Sequence, residues 1–161
     1  MTEFTATERR SHLLSAVSHG GAYTVKNLTS TIELAAQATF PHTITFGRVP
    51  SNARLLGSSR LYWDDVSNAG SPTLDLGIGA VNGNLANSDD NDALSDGHGL
   101  STASTGAVAI TLFADYGNEA WDFVSGETSD PGGELKIYGT VQDALTTVAG
   151  TITVSIDYVV D

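Results

Sequence analysis

The sequence contains no cysteine, which excludes disulfide bonds, thiolate metal ligands and cysteine nucleophiles together. Positive charge is scarce as well, since 7 Lys and Arg stand against 19 Asp and Glu, for a formal net charge of -12. A surface of that sign repels phosphate groups and disfavours nucleic-acid binding. No apolar run approaches the roughly 18 residues of a membrane span. The N-terminus also lacks the apolar stretch of a secretory signal, so we expect a soluble, unprocessed chain.

The length of 161 residues is that of one domain with a sizeable core. Most of the chain alternates short runs rich in Val, Ile, Thr and Leu with clusters of Gly, Asn, Asp and Ser, a pattern typical of strands. We expect about eight strands, at residues 22–29, 32–38, 43–49, 53–63, 73–80, 107–113, 134–142 and 148–159. With no long helical pattern, these predict an all-β, antiparallel β-sandwich of the jelly-roll type, a Greek-key sandwich of another order being the nearest alternative.

Residues 1–20 differ from the rest in charge. Two glutamates balance Arg9 and Arg10 there, whereas all the net negative charge lies from residue 21 onward. We therefore predict an N-terminal arm at 1–20 and a β-sandwich body at 21–161. Within the arm, apolar residues after Thr7 are compatible with two or three helical turns.

A polar stretch at residues 82–106 looks too long for an ordinary connection and is predicted to be a loop that projects from the sandwich. It invites a calcium-binding interpretation because four carboxylates are close in sequence, but Leu94 and Ala103 stand where an EF-hand needs ligands. We favour a solvated loop. The carboxylates are Asp89, Asp90, Asp92 and Asp96.

No constellation of catalytic residues is visible. The four histidines lack the spacing of a zinc helix, and no G-x-S-x-G motif is present. We expect no enzyme activity, no metal and no cofactor. Arg48, Arg54 and Arg60 are spaced by six, which on strands keeps side chains on one face, where they could meet an acidic neighbouring copy or simply be solvated. Aromatic residues could form a sugar-stacking platform, although large aromatics are more often core anchors: Tyr62, Trp63, Tyr116 and Trp121.

The segment RVPSNARLLGSSRLYWDDVSNAGSPTLDLGIGAVNGN at residues 48–84 resembles small structural proteins encoded in the head modules of tailed bacteriophages. AWDFVSGETSDPGG at 120–133 and GTITVSIDYVV at 150–160 are similar to the same proteins. The resemblance implies a capsid decoration, or cement, protein: a β-sandwich on the outer surface of the head, usually a homotrimer, that clamps neighbouring major capsid protein subunits. It implies neither a membrane nor a nucleic-acid partner.

The arm is the segment we expect to contact the capsid. We predict that Arg9 and Arg10 pair with a capsid carboxylate, and that Leu13 and Leu14 are apolar anchors. Two alternatives stay open. The chain could be a head–tail or tail structural component, or a glycan-binding β-sandwich on the virion that would need Trp63 or Trp121 exposed.

Overall fold

A computed structural model describes residues 2–5, 7–12, 24–34, 42–64, 71–109, 117–142 and 150–160. Within these ranges the chain forms eleven strands and one short 3₁₀ helix, Ala120–Phe123. The strands are β1 Thr2–Thr5, β2 Thr7–His12, β3 Lys26–Leu34, β4 His42–Pro50, β5 Arg54–Leu55, β6 Arg60–Trp63, β7 Thr73–Ala80, β8 Asp90–Gly99, β9 Ser104–Val108, β10 Glu134–Gln142 and β11 Gly150–Val159.

The strands form two sheets, of order β1-β4-β10-β7-β8 and β2-β3-β11-β6-β9, with β5 paired to β11. All pairings are antiparallel except that of β1 with β4. Without β1, β2 and β5, the order is that of an eight-stranded jelly roll, in which successive strands alternate between sheets except at β7–β8. The predicted all-β sandwich is therefore confirmed.

The core lies between the sheets, and β11 shows most clearly how the sequence builds it. Ile152, Val154 and Ile156 are fully buried, and the residues between them are partly exposed on the outer face. This period-two pattern is the one expected of a strand with one face on the core. The 3₁₀ helix packs against the core through the buried Phe123 and the partly buried Trp121.

Two strand predictions need correction. Residues 22–29 and 32–38 were expected as separate strands, but β3 runs unbroken through Ser30, which is buried on the inner face. The composition of the polar Thr29-Ser30-Thr31 run is typical of a turn. The run nevertheless stays extended, because its pairing with β11 continues without a break. The expected strand at 53–63 is divided into β5 and β6 by a turn closed by the Ser59 N–H bonding to the Leu56 carbonyl.

The prediction that 82–106 projects as a loop is wrong. Its middle, Asp90–Gly99, is strand β8, and β9 begins at Ser104. Leu94 and Leu100 are fully buried, and Leu85 and Ala93 nearly so. The sequence of β8 does not show the alternation of a strand, because its buried positions are not every second residue. The pairing of β8 with β7 shifts register twice, between Leu74 and Leu76 and between Leu76 and Ile78 of β7.

The N-terminal residues also differ from expectation. The helical turns predicted to begin at Thr7 are wrong over β2, where the chain is extended and pairs with β3. Strand propensity is weak in this polar run, so the pairing partner and not the local sequence decides its conformation. Among the described residues, no helix is long and apolar enough to cross a membrane.

Candidate assembly surfaces

Two glycines on β7 create a depression in the outer face of the five-stranded sheet. Gly77 lies opposite Tyr138 of β10 in the register, and Gly79 lies opposite Lys136. A Cβ on Gly77 would come within 2.2 Å of the carbonyl oxygen of Asp90, so the backbone that leads into β8 passes directly over the glycine. The carboxylate-rich residues 89–96, hereafter the acidic segment, are thus packed onto the sheet and do not form a projecting loop.

Lys136 and Tyr138 fasten the start of the acidic segment. The Lys136 Nζ lies 2.7 Å from Asp89 Oδ2 and 4.9 Å from the centre of the Tyr138 ring. The Tyr138 hydroxyl donates to Asn91 Oδ1 at 2.6 Å. Burial, together with the neighbouring carboxylates, raises the pKa of Tyr138, so its hydroxyl stays protonated and able to donate.

The carboxylates of the acidic segment are partly used within the fold. Asp89 Oδ1 accepts the Ala80 N–H at 2.7 Å, and Asp90 Oδ2 accepts the Ser125 N–H at 3.1 Å. The pKa of Asp92 is raised because the Asp90 side chain hydrogen-bonds to it and because it is partly desolvated. Within the described residues, no group of three or more His, Asp or Glu is arranged to hold a metal ion.

Asp75, on the same sheet, is a buried carboxylate, only 6% exposed. It accepts the Gly97 N–H and the Gln142 Nε2–H, both at 3.0 Å. These bonds join β7 to β8 and to β10. The residue was not singled out in the sequence because a lone aspartate in an apolar run gives no signal of its partners.

His98 and Trp63 meet where the two sheets approach. Their ring centroids are 5.7 Å apart, and the Trp63 Nε1–H donates to the Thr102 carbonyl at 2.8 Å. His98 Nε2 is hydrogen-bonded to Ser95 Oγ at 2.9 Å. Burial lowers the pKa of His98. The negative charges of Asp75 and Asp96 act in the opposite direction and raise it by a smaller amount.

The outer face of the six-stranded sheet carries a different surface, which we call the hydroxyl face. Its side chains bond to one another across β3 and β11, as in the 2.8 Å contact between the Thr31 and Thr153 hydroxyls. Tyr62 lies opposite Thr153 in the register and is 39% exposed. Carboxylates are part of this surface: Asp64 accepts the Thr151 hydroxyl at 2.6 Å, and Asp157 accepts the Asn27 amide at 2.7 Å. The residues of this face are Asn27, Thr29, Thr31, Thr151, Thr153 and Ser155.

The three evenly spaced arginines do not share a face, which corrects the sequence prediction. Arg48 lies on β4 of one sheet, whereas Arg60 lies on β6 of the other. Arg48 pairs with Glu134 at 3.7 Å, and Arg54 pairs with Glu119 at 3.2 Å. Arg60 donates to the backbone carbonyls of Gly57 and Ser59. Even spacing fails here because turns and changes of sheet separate the three positions.

The proposed sugar-stacking platform is not formed by the described aromatics. Trp63 is only 8% exposed, and Trp121 packs against the core with its Nε1–H donated to Glu119 Oε2 at 2.6 Å. Tyr62 and Trp63 point to opposite faces of β6. Tyr116 lies outside the described residues. The core-anchor interpretation of the tryptophans is the one that the structure supports.

Of the four arm residues chosen as capsid contacts, Arg9 and Arg10 lie on β2, the edge strand of the six-stranded sheet. Arg9 pairs with Thr29 and Arg10 with Leu28 in the register of β2 with β3. Leu13 and Leu14 lie outside the described residues. The assignment of these four side chains to a partner stays a prediction, as does the division into an arm at 1–20 and a body at 21–161.

The same fold occurs in the capsids of two phages. One match is a chain in the cyanophage Pam1 capsid asymmetric unit, with a TM-score of 0.57, 17% identity, and coverage of 92% of this chain and 94% of that chain. Another is a chain in the capsid of Ralstonia phage GP4, with a TM-score of 0.56, 20% identity, and coverage of 92% and 91%. Models of known protein families and curated protein sequences give no match. The sandwich is therefore shared with both capsid chains over nearly their full lengths.

Proposed function

We propose that this chain is a structural virion protein, a decoration or cement protein that binds the outer surface of a phage head as a homotrimer and stabilises the lattice of major capsid protein. The observation that carries the proposal is the similarity to chains of two phage capsids over more than nine-tenths of each chain. A partial match could reflect one common module, whereas a match of whole chains favours a common role. No enzyme activity forms part of this proposal.

The charge distribution supports an exterior position. With a net charge of -12, the chain is repelled by packaged DNA. The acidic segment lies on one outer face, where Asp92 and Asp96 are exposed. The hydroxyl face, on the opposite sheet, offers hydroxyl groups and the exposed Tyr62 to a protein partner.

The mechanism would be multivalent binding. Each copy in a trimer supplies a modest contact, and linkage raises the effective concentration of the others. Because the trimer binds the assembled lattice and not the separated subunits, occupancy stabilises the shell by mass action, by about 2.7 kcal/mol at a concentration 100 times the dissociation constant.

Cryo-EM reconstruction of virions carrying this chain tests the proposal. We expect copies spread over the outer lattice in trimers, in numbers comparable with those of the capsid protein. A few copies at one vertex would instead identify a head–tail or tail component. Absence from the particle would contradict a virion role and would leave glycan binding to be tested by quenching of tryptophan fluorescence with polysaccharide.

Charge reversal tests the predicted contact residues. We expect Arg9→Glu and Arg10→Glu to lower occupancy on purified heads, because each places a carboxylate where a capsid carboxylate is proposed. Arg48→Glu is the matched control: it changes the net charge equally, but Arg48 is half exposed on the other sheet. Equal occupancy for all three variants would contradict the prediction that Arg9 and Arg10 contact the capsid.

A further inference from the structure

The N-terminal strands occupy an unusual position. β1 is the first strand of one sheet and β2 the first of the other, and a single residue separates Thr5 from Thr7. One segment, Thr2–His12, thus provides an edge strand to both sheets at the same side of the sandwich. It makes four register pairs with β4 and six with β3.

The connection to the rest of the chain does not force this segment onto its own body. Thirteen residues, 13–25, join β2 to β3, whereas a connection between paired antiparallel strands usually has two to five. An extended chain of that length can reach about 45 Å. A domain of this size has a radius of gyration of about 15 Å, so a neighbouring copy is within reach.

The sandwich offers two edges that some strand must cover. Without β1 and β2, the outer edges of β3 and β4 would present unpaired N–H and C=O groups, which readily pair with another strand. The sequences of β1 and β2, TEFT and TERRSH, are mostly polar. The register pairs of β1 and β2 are backbone pairings, which are the same whichever copy supplies the strand.

We infer that in the assembled oligomer the Thr2–His12 segment of one copy pairs with β3 and β4 of a neighbouring copy. This inference rests on the self-association in the proposed function. Copies that each carry a charge of -12 repel one another, but backbone hydrogen bonds between strands do not depend on net charge. Passed from copy to copy around a three-fold axis, the exchange closes on itself and covers the β3 and β4 edges of every copy.

Paired cysteines test the exchange without interference, since the chain has none of its own. Thr7 is the register partner of Thr31, and Thr31 is also paired with Thr153 of β11. We expect the Thr7→Cys/Thr31→Cys variant to yield disulfide-linked oligomers on non-reducing gels, in solution and on heads. The Thr31→Cys/Thr153→Cys variant is the control, because both strands belong to the jelly roll and should link within one chain.

Co-expression of two differently tagged single variants, Thr7→Cys and Thr31→Cys, gives an independent readout. Exchange predicts a disulfide-linked dimer that carries both tags. If the native mass is that of a trimer but Thr7→Cys/Thr31→Cys links only within one chain, the exchange is overturned while the trimer stands. A monomeric mass in solution and on heads overturns both. The exchange is also overturned if neither Thr7→Cys/Thr31→Cys nor Arg9→Cys/Thr29→Cys forms any disulfide while Thr31→Cys/Thr153→Cys does.

Discussion

The carbonyl oxygen of Asp90 lies over Gly77, at the place where any other residue would put its Cβ. The contact is between backbone atoms of β7 and the start of β8, so it cannot be relieved by rotating a side chain. It lets the acidic segment lie flat on the sheet, beside Tyr138 and Lys136. The surface that this sheet presents to a partner therefore depends on the absence of a Cβ atom at Gly77.

Gly77→Ala is expected to destabilise the protein. The new Cβ would lie 2.2 Å from Asp90 O and 2.6 Å from Asn91 O, so the backbone of the acidic segment must move. Overpacking of this kind costs about 1–3 kcal/mol. At roughly 2–4 °C per kcal/mol for a chain of this size, the melting temperature should fall by about 2–12 °C.

Gly99→Ala provides the control for that measurement. Gly99 is the last residue of β8, the strand paired with β7, and nothing lies within 4 Å of the position that its Cβ would take. Its melting temperature should stay close to that of the wild type in the same calorimetric scan. Equal melting temperatures for the two variants would show that the acidic segment does not press on Gly77.

Asp75→Ala should weaken the link among β7, β8 and β10. The substitution leaves the Gly97 N–H and the Gln142 amide without their acceptor in a buried site. An unsatisfied buried donor costs about 1–3 kcal/mol in the free energy of unfolding, measured by urea titration. Asp122→Ala, at an exposed site on the 3₁₀ helix, should change it by less than about 0.5 kcal/mol. A similar effect of both substitutions would contradict the role of Asp75.

Lys136→Met is expected to loosen the acidic segment. It removes both the ion pair with Asp89 and the contact with the Tyr138 ring, and leaves Asp89 near other carboxylates. Because salt screens such charges, the loss of unfolding free energy should be larger at low ionic strength than in 1 M NaCl. Arg48→Met, which removes the longer and more exposed pair with Glu134, should cost at most about 1 kcal/mol. Identical salt dependence of the two variants would argue against the role of Lys136.

Much of the sandwich could be predicted because its strands alternate cleanly. The bounds of β7 and β10 are those expected, and the strand expected at 148–159 contains β11, whose Ile152, Val154 and Ile156 alternate into the core. Gly139 lies at an irregular point of β10. The register shifts next to it, between Ile137 and Tyr138, and a Cβ there would lie 2.8 Å from Leu74.

The parts that escaped prediction depend on contacts distant in sequence. Strand β8 is polar in composition and holds its place through Gly77 and Tyr138, which precede it or follow it by many residues. The hydroxyl face could not be found from sequence either, since Thr31 and Thr153 become neighbours only through the pairing of β3 with β11. Composition records neither relationship.

The protein should lose stability as the pH falls through about 6.5, the ordinary pKa of a histidine side chain. Burial lowers the pKa of His98 in the folded state, so the unfolded chain, with a pKa of about 6.5, binds the proton first. The unfolding free energy should therefore decrease from pH 7.5 to pH 5.5, as followed by tryptophan fluorescence during urea unfolding. His98→Gln should flatten that decrease, since glutamine takes up no proton and the remaining histidines are common to both proteins. Parallel curves for the two proteins, or stability that rises on acidification only in the wild type, would contradict a half-buried, neutral His98 beside Trp63.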